Sequence, residues 1–360
     1  MQNIYCCEAG GLFDNKPIAK YQVTPYALSM DYENLINKKF ELDQYRPLPQ
    51  ALVKNLDDWF LVELTYTSNA IEGNTLTRAE TALVVEKGLT IGGRSLKEHF
   101  EANNHAHALE WVKTLVSKPI SDISEDIILQ IHRYILEAID DTNAGYYRNI
   151  TVRISGSPVI LPNPRKIPDL MVDFIEWLHS STQNPIELAA LAHYKFVTIH
   201  PFVDGNGRTA RLLMNLILMI YGYPPAIIRP EDRLEYIKSL ESAQLGDSLD
   251  KYIALIARAV ERSLSIYLKA VKGEDAAQSE NATELLKIGH LAAKTNTPVS
   301  TIRFWVQEEL LKIASTTASG YWLFQLEAVA RVEKIKELQQ KRFTIREIKQ
   351  MLLSDEEPDA

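Results

Sequence analysis

From Pro49 onward, apolar side chains return at helical spacing. Leu52, Leu56, Trp59, Phe60, Leu61 and Leu64 place one face of a helix over 49–71 that closes near Gly73-Asn74. A second helix opens at Thr77, whose spacing to Glu80 is that of a capping box. The same period runs through 95–116, 124–139, 167–180 and 185–199, the last with Leu188, Leu191, Ala192, Phe196 and Ile199 on one face, and resumes over 208–221, 231–243 and 248–270. Leu212 to Ile220 is apolar almost throughout, too short to span a bilayer, and stopped by Gly222 and Pro224-Pro225, so it reads as a buried helix. Residues 150–161 break the pattern: β-branched residues flank Ser155-Gly156-Ser157, which predicts one short β-hairpin protruding from a helical body. Before residue 50 the periodicity is weak and Pro17, Pro25, Pro47 and Pro49 are scattered, which predicts an irregular arm.

Residues 272–282 are polar, small and aperiodic, as a linker is. Beyond them, 283–353 carries its own apolar pattern. A short helix over 288–296, a turn at Thr297-Pro298 and a second helix over 299–311 have helix-turn-helix spacing, Ser319 to Phe324 suggests a wing, and 326–341 and 344–353 read as two more helices. The tail 354–360 is expected to fray.

Composition adds limits. With 360 residues, 46% hydrophobic and 24% charged, the chain can bury enough apolar surface to fold, and its length suits two or three domains. A net charge of −8 argues against non-specific coating of nucleic acid. The two cysteines, Cys6 and Cys7, are adjacent, which excludes a disulfide scaffold and fits a reducing compartment. The first residues lack the basic and apolar regions of a signal peptide, so the expectation is a soluble cytoplasmic protein with no membrane partner.

Chemistry concentrates in His200-Pro-Phe-Val-Asp-Gly-Asn-Gly-Arg-Thr-Ala-Arg211. One apolar helix ends at His200-Pro201, a loop with Gly205 and Gly207 follows, and another apolar helix begins at once. Backbone N–H groups at such a helix N-terminus form an anion nest, and the helix dipole strengthens it. Arg208 and Arg211 early in that helix are unfavourable unless an anion binds there. Asp204 supplies a hard oxygen for Mg²⁺ held jointly with a nucleotide, and His200 has the basicity of a general base. The set predicts phosphoryl or nucleotidyl transfer. No Lys-Ser/Thr follows the glycines, so this is not a Walker loop, and no strand clearly precedes it, so it is not a Rossmann fingerprint.

This stretch resembles the Fic family signature, His-Pro-Phe-x-Asp/Glu-Gly-Asn-Gly-Arg-x-x-Arg, at every specified position. The resemblance covers about 49–270 and implies a mainly α chain: a Fic-type helical bundle with a short β-hairpin flap. It implies AMP transfer from ATP to a Ser, Thr or Tyr hydroxyl of a target protein, self-modification included. His200 is then the base, Asp204 holds Mg²⁺, and Gly205, Asn206, Gly207, Arg208, Thr209, Ala210 and Arg211 form the nucleotide site. Tyr236 and Gln244 correspond to a family segment near the adenine and ribose. The hairpin resembles the family's target-docking flap, centred on Ile154, Ser155, Gly156 and Ser157, with Gly145-Tyr-Tyr-Arg148 before it. Ser68-Asn-Ala-Ile-Glu-Gly73 resembles the inhibitory motif of the class with an N-terminal inhibitory helix. On that resemblance Glu72 pairs with Arg211, Ser68 supports the motif and Gly73 completes it. A homodimer is compatible with the family.

Residues 283–353 resemble a MerR-type winged helix through Ser300-Thr-Ile-Arg303, Gly320-Tyr321 and Phe343 to Ile348. With eleven Lys/Arg against seven Asp/Glu the segment carries a modest positive balance. Two readings stand: DNA contact through Ser300, Thr301 and Arg303, or a protein-interaction or dimerisation module. The expected division is therefore 1–94 as arm and inhibitory region, 95–271 as Fic core, 272–282 as linker, 283–353 as winged helix-turn-helix and 354–360 as tail. The rival functions are a DNA-binding regulator whose Fic part senses nucleotide, and a transferase using another nucleotide-linked donor.

Overall fold

The computed structural model describes residues 32–273, 286–316, 322–325, 327–341 and 343–354. Its contacts divide the chain into two units, Met1–Lys272 and Gly273–Ala360. The expectations on residues 1–31, with Cys6 and Cys7, on most of the linker, on the wing tip at Ser319 to Tyr321 and on the last six residues lie outside the described residues.

The first unit is built around one helix. This is α8, Asn206–Ile220, in which every residue but Gly207 is buried. A helix apolar on all sides needs neighbours on all sides. They are α2 (Gln50–Ile71), α4 (Leu96–Thr114), α5 (Glu125–Leu136) and α7 (Pro185–Ile199), each of which packs against α8. Outside these lie α3 (Arg78–Lys87) against α2 and α4, α6 (Ile167–Ser180) against α7, and α9 (Arg233–Gln244) against α10 (Asp250–Lys272). Local sequence sets the boundaries. Thr77 with Glu80 and Ser95 with Glu98 form complete capping boxes on α3 and α4, and Asn184 caps α7 ahead of Pro185.

Two expectations are corrected. The supposed irregular arm contains a helix, α1 (Tyr32–Gln44), which buries Tyr32, Leu35 and Leu42 against α10, with Lys38 Nζ 2.9 Å from Glu261. Exposed Ile36 and Phe40 blur its apolar stripe, and the nearby prolines bracket it. The hairpin over 150–161 is not a ladder. The turn is where expected, with Gly156 at φ 78° and the Ser157 N–H donating to the Ile154 carbonyl at 3.1 Å, but the extended arms do not pair as strands. β-Branched composition favours extended backbone; a ladder needs facing partners as well. Here the carbonyls of Ile150 and Pro162, at the two roots, are taken by Arg148.

In the second unit β1 (Leu286–Lys287), α11 (Ile288–Lys294), α12 (Val299–Gln307), β2 (Ser315–Thr316), β3 (Trp322–Phe324), α13 (Glu327–Gln340) and α14 (Ile345–Ser354) follow in order. The strands form an antiparallel sheet, β1-β3-β2, with Leu286 opposite Phe324 and Ser315 opposite Leu323. Leu291, Ile302, Trp305, Leu310, Phe324, Val332, Ile335 and Ile348 make its core. This is a winged helix-turn-helix; β1 lacked a sequence signal because it is two residues long.

Candidate functional site

The loop joining α7 to α8 is held by its own side chains. His200 ends α7 in the left-handed region, at φ 52° and ψ 61°, with its N–H donating to the Phe196 carbonyl at 2.9 Å. Pro201 already disfavours α geometry at His200, so the conformation is less foreign there than elsewhere. Asn206 closes the loop: Phe202 N–H donates to its Oδ1 and its Nδ2 donates to the Phe202 carbonyl, both at 2.9 Å. Phe202 is wholly buried and stacks on His132, with ring centroids 3.5 Å apart and planes within 3°. His132 Nδ1 accepts from the Gly145 N–H at 2.9 Å, so the proton sits on Nε2, which donates to the Asp204 carbonyl at 2.9 Å. Burial holds this imidazole down at about 4, so it is neutral near pH 7. Gly205, at φ 76°, has no room for a side chain, since a Cβ would meet the His132 ring and Ile135 at 3.3 Å.

The N-terminus of α8 is the cradle that the sequence predicted. The N–H groups of Asn206, Gly207 and Arg208 precede the first intrahelical bond, Thr209 N–H to the Gly205 carbonyl, and the helix dipole makes the place attractive to an anion. An anion is already there: a Cβ built on Gly207 would collide with Glu72 Oε1. The helix starts two residues earlier than predicted, so Arg211 belongs to its second turn, from which it reaches Glu72. Arg211 Nη2 donates to Glu72 Oε1 at 2.7 Å and to the Ser68 carbonyl at 2.9 Å, and Nε donates to Ser68 Oγ at 3.0 Å. Burial works against the Arg211 charge, but Glu72 and Tyr236 outweigh it and raise the guanidinium above its ordinary value.

Tyr236 packs against residues of α8 and α7. It is buried behind Arg211, 3.5 Å from Nη1, and its hydroxyl meets His193 Nε2 at 2.8 Å. Burial and Arg211 push His193 down to about 3, so the ring is neutral and accepts from the tyrosine. Gln244 donates to Thr198 Oγ1 at 3.2 Å. Thr209 and Ala210 are wholly buried, and the Thr209 N–H is taken by the Gly205 carbonyl.

His200 Nδ1 lies 3.3 Å from the Val197 carbonyl, an acceptor only, so Nδ1 carries the proton and Nε2 offers its lone pair. Burial lowers the pKa of this ring, partly opposed by the Val197 carbonyl, while Arg148 lowers it further and Glu72 and Asp204 raise it. Asp204 is more than half exposed; its Oδ1 accepts from the Gly205 N–H at 2.6 Å and lies 3.5 Å from Arg208. Arg208 is buried between Asp204 and Glu101, and its Nε and Nη1 make no hydrogen bond.

The inhibitory-motif residues come together with the cradle. Gly73, at φ 97°, ends α2 in a turn where Asn74 N–H donates to the Asn69 carbonyl and Arg233 Nε caps the Ile71 carbonyl at 2.7 Å. At the flap, Ser155 and Gly156 are exposed and Ile154 and Ser157 half-buried. In the second unit Ser300 and Arg303 are exposed on one face of α12, and Thr301 is half-buried. Sequence reasoning missed the positioning roles of His132, Arg148 and Glu101. Glu101 accepts from Asn74 Nδ2 at 2.9 Å and faces Arg208, so it joins the turn after α2 to the first turn of α8. It gave no sequence signal, since its neighbours on the helix face, Lys97, Glu98, Asn104 and His105, are polar as well. Among the described residues no group of three or more His, Cys, Asp or Glu could hold a metal by itself, and no helix is long and apolar enough to cross a membrane.

Residues 122–218 match the Fic/DOC family, and 286–355 match the MerR HTH family regulatory protein. The chain is 37% identical over 262 residues to protein adenylyltransferase fic-1 of Caenorhabditis elegans, covering 71% of this chain and 51% of that protein. It is 44% identical over 206 residues to protein adenylyltransferase Fic of Nematostella vectensis, covering 56% of this chain and 48% of that one. It thus spans about half the length of the curated relatives it matches. Among solved structures, Fic-1 (residues 134–508) from C. elegans superposes with a TM-score of 0.62 at 37% identity, covering 69% of this chain and 75% of that one. A Fic domain containing signaling protein from Bacteroides thetaiotaomicron gives 0.61 at 32% identity, covering 68% of this chain and 98% of that one. A helix-capped anion cradle carrying the full signature, in a bundle that overlays these structures, places the chain in the Fic/DOC family.

Proposed function

We propose that the chain is a protein adenylyltransferase that transfers AMP from ATP to a Ser, Thr or Tyr hydroxyl of a target protein, and that Glu72 holds it inactive. The observation that carries the reading is a carboxylate lying over Gly207, in the anion cradle, bonded to Arg211 beside a histidine whose Nε2 is open. The target hydroxyl would give its proton to His200 Nε2 as its oxygen bonds to the α-phosphorus. The bond from that phosphorus to the bridging oxygen breaks, and pyrophosphate leaves with the electron pair. The N–H groups of α8, with Arg208 and Arg211, would take the phosphate charge, Arg208 having two nitrogens without a hydrogen bond. Asp204 suits Mg²⁺ shared with a nucleotide, because one exposed carboxylate fits an ion whose other ligands are phosphate and water. Bound there, the ion would neutralise charge on the phosphates.

Glu72 would exclude a phosphate from Arg211 by charge and by volume. ATP could then enter only in a pose that leaves this arginine to Glu72. The relatives' names, each a protein adenylyltransferase, support the reaction class. For the second unit the exposed Ser300 and Arg303 on α12 favour contact with DNA.

The test is intact mass after incubation with Mg²⁺ and ATP of the parent chain, Glu72→Gly, and Glu72→Gly/His200→Ala. A gain of one AMP in the single variant, lost in the double one, is expected. Equal or lower transfer by Glu72→Gly than by the parent would overturn the inhibitory role.

A further inference from the structure

Arg148 is buried to 2% exposure and has no role in the reaction as set out above. Among the described residues no carboxylate pairs with it. Its guanidinium is satisfied by three carbonyl oxygens from three separate places: Nε donates to His200 at 2.8 Å, Nη1 to Ile150 at 3.0 Å and Nη2 to Pro162 at 2.8 Å. Its own backbone N–H donates to the Pro201 carbonyl at 2.9 Å. Ile150 and Pro162 are the two roots of the flap, whose arms lack a ladder of their own. His200 is the residue that turns the chain left-handed out of α7.

We infer that Arg148 is the positioning residue that fixes both roots of the flap to the backbone of His200, so that the segment docking a target and the group taking its proton move as one body. The argument needs the fork geometry of arginine. A lysine ammonium keeps the charge but cannot span three carbonyls in one plane, whereas the guanidinium presents its donors in a fixed fan. Hydrogen bonds from an ionised donor are stronger than neutral ones, and a buried cation without an ion-pair partner depends on all of them. Flap and base lie about fifty residues apart in sequence, and without a ladder the flap has no internal means of keeping its distance from His200. This inference rests on the transfer reading for its consequence, although the clamp itself does not.

The experiment uses the full chain with Glu72→Gly as parent, and adds Arg148→Lys and Arg148→Gln. Hydrogen exchange over 149–162 reads the clamp, NMR titration of His200 reads the charge, and AMP gain reads the coupling. Exchange of the flap amides is expected to accelerate about tenfold or more in both variants, with thermal unfolding still cooperative. The His200 midpoint is expected to rise in Arg148→Gln and to stay near the parent's in Arg148→Lys, so that a loss of transfer in Arg148→Lys is traced to the lost fork geometry and not to the charge. AMP transfer is expected to fall about tenfold or more in Arg148→Lys with ATP binding unchanged. Should Arg148→Gln fail to fold, flap exchange in Arg148→Lys decides alone. Flap exchange within about twofold of the parent in Arg148→Lys would overturn the inference. A parent that gains no AMP would count against the transfer reading, while flap exchange still decides the clamp.

Discussion

Glu72 and Arg211, 139 positions apart in the chain, meet at 2.7 Å over the first turn of α8, and Ser68 bonds the same guanidinium twice from the helix that ends at Glu72. The arginine is buried and the glutamate about one-third exposed, so the pair is asymmetric. Removing Glu72 leaves Arg211 its bonds to Ser68 and Tyr236; removing Arg211 strips four contacts at once.

Glu72→Gly is therefore expected to fold with a loss of only about 1 kcal/mol, given the exposure of the carboxylate, while Arg211→Ala loses about 3 kcal/mol. Urea unfolding of the two variants checks the ranking. An Arg211→Ala chain as stable as Glu72→Gly would mean that the pair, not the arginine's wider network, carries the stability.

Gly207→Ala makes a sharper probe. The added methyl displaces the Glu72 carboxylate, the movable end of a flexible side chain, but also intrudes on the cradle. ATP affinity should fall about tenfold even when Glu72 is already glycine, because the methyl hinders close approach of phosphate to the backbone. Calorimetric titration in the Glu72→Gly background measures it. Unchanged affinity would place the phosphates elsewhere.

His200 titrates below the ordinary imidazole range, chiefly through burial. On the transfer reading its neutral form is the base, so transfer by Glu72→Gly should rise with pH and reach its plateau before the pH at which a free imidazole would. Glu72 itself raises the His200 pKa, so the titration midpoint, followed by NMR, should be lower in Glu72→Gly than in the parent.

Three other histidines set the acid limit of the fold. His105 and His193 are held near 3 and His132 near 4, each first by burial. Their folded values lie below the unfolded one, so the unfolded chain binds protons first. Stability should fall as the pH drops below about 6.5, by about 1.4 kcal/mol per histidine for each further pH unit until the folded values are reached. Urea midpoints between pH 7 and 5 test this, and His132→Asn should flatten the slope by one histidine's share.

In the second unit, Arg303→Ala should weaken binding to any duplex without changing sequence preference and reduce the salt slope by about 1, as loss of one phosphate contact does. Anisotropy against a labelled duplex at several salt concentrations measures both. Equal binding by parent and variant would move the unit towards a protein partner.

How far the sequence foretold this molecule depended on the reach of each interaction. Helices 167–180 and 185–199 were legible residue for residue, because the apolar period and the stop at His200-Pro201 are local signals. The residues of the 200–211 loop were legible for the same reason. The packing of Tyr236 was not legible, because its partners Arg211 and His193 come from other helices. His132 gave no signal and Arg148 only its place before the flap: the Asp204 and His200 carbonyls they bind are backbone atoms brought in from far along the chain, and backbone atoms carry no sequence.

α8 exposes one residue along its whole length, Gly207. For protein engineering this makes the floor of the cleft a fixed part. Any larger side chain set there would have to displace the packed interior, and on the transfer reading the single open position stays bare for phosphate to approach. On the transfer reading, a redesign of donor preference would therefore work outside α8 and leave this face untouched.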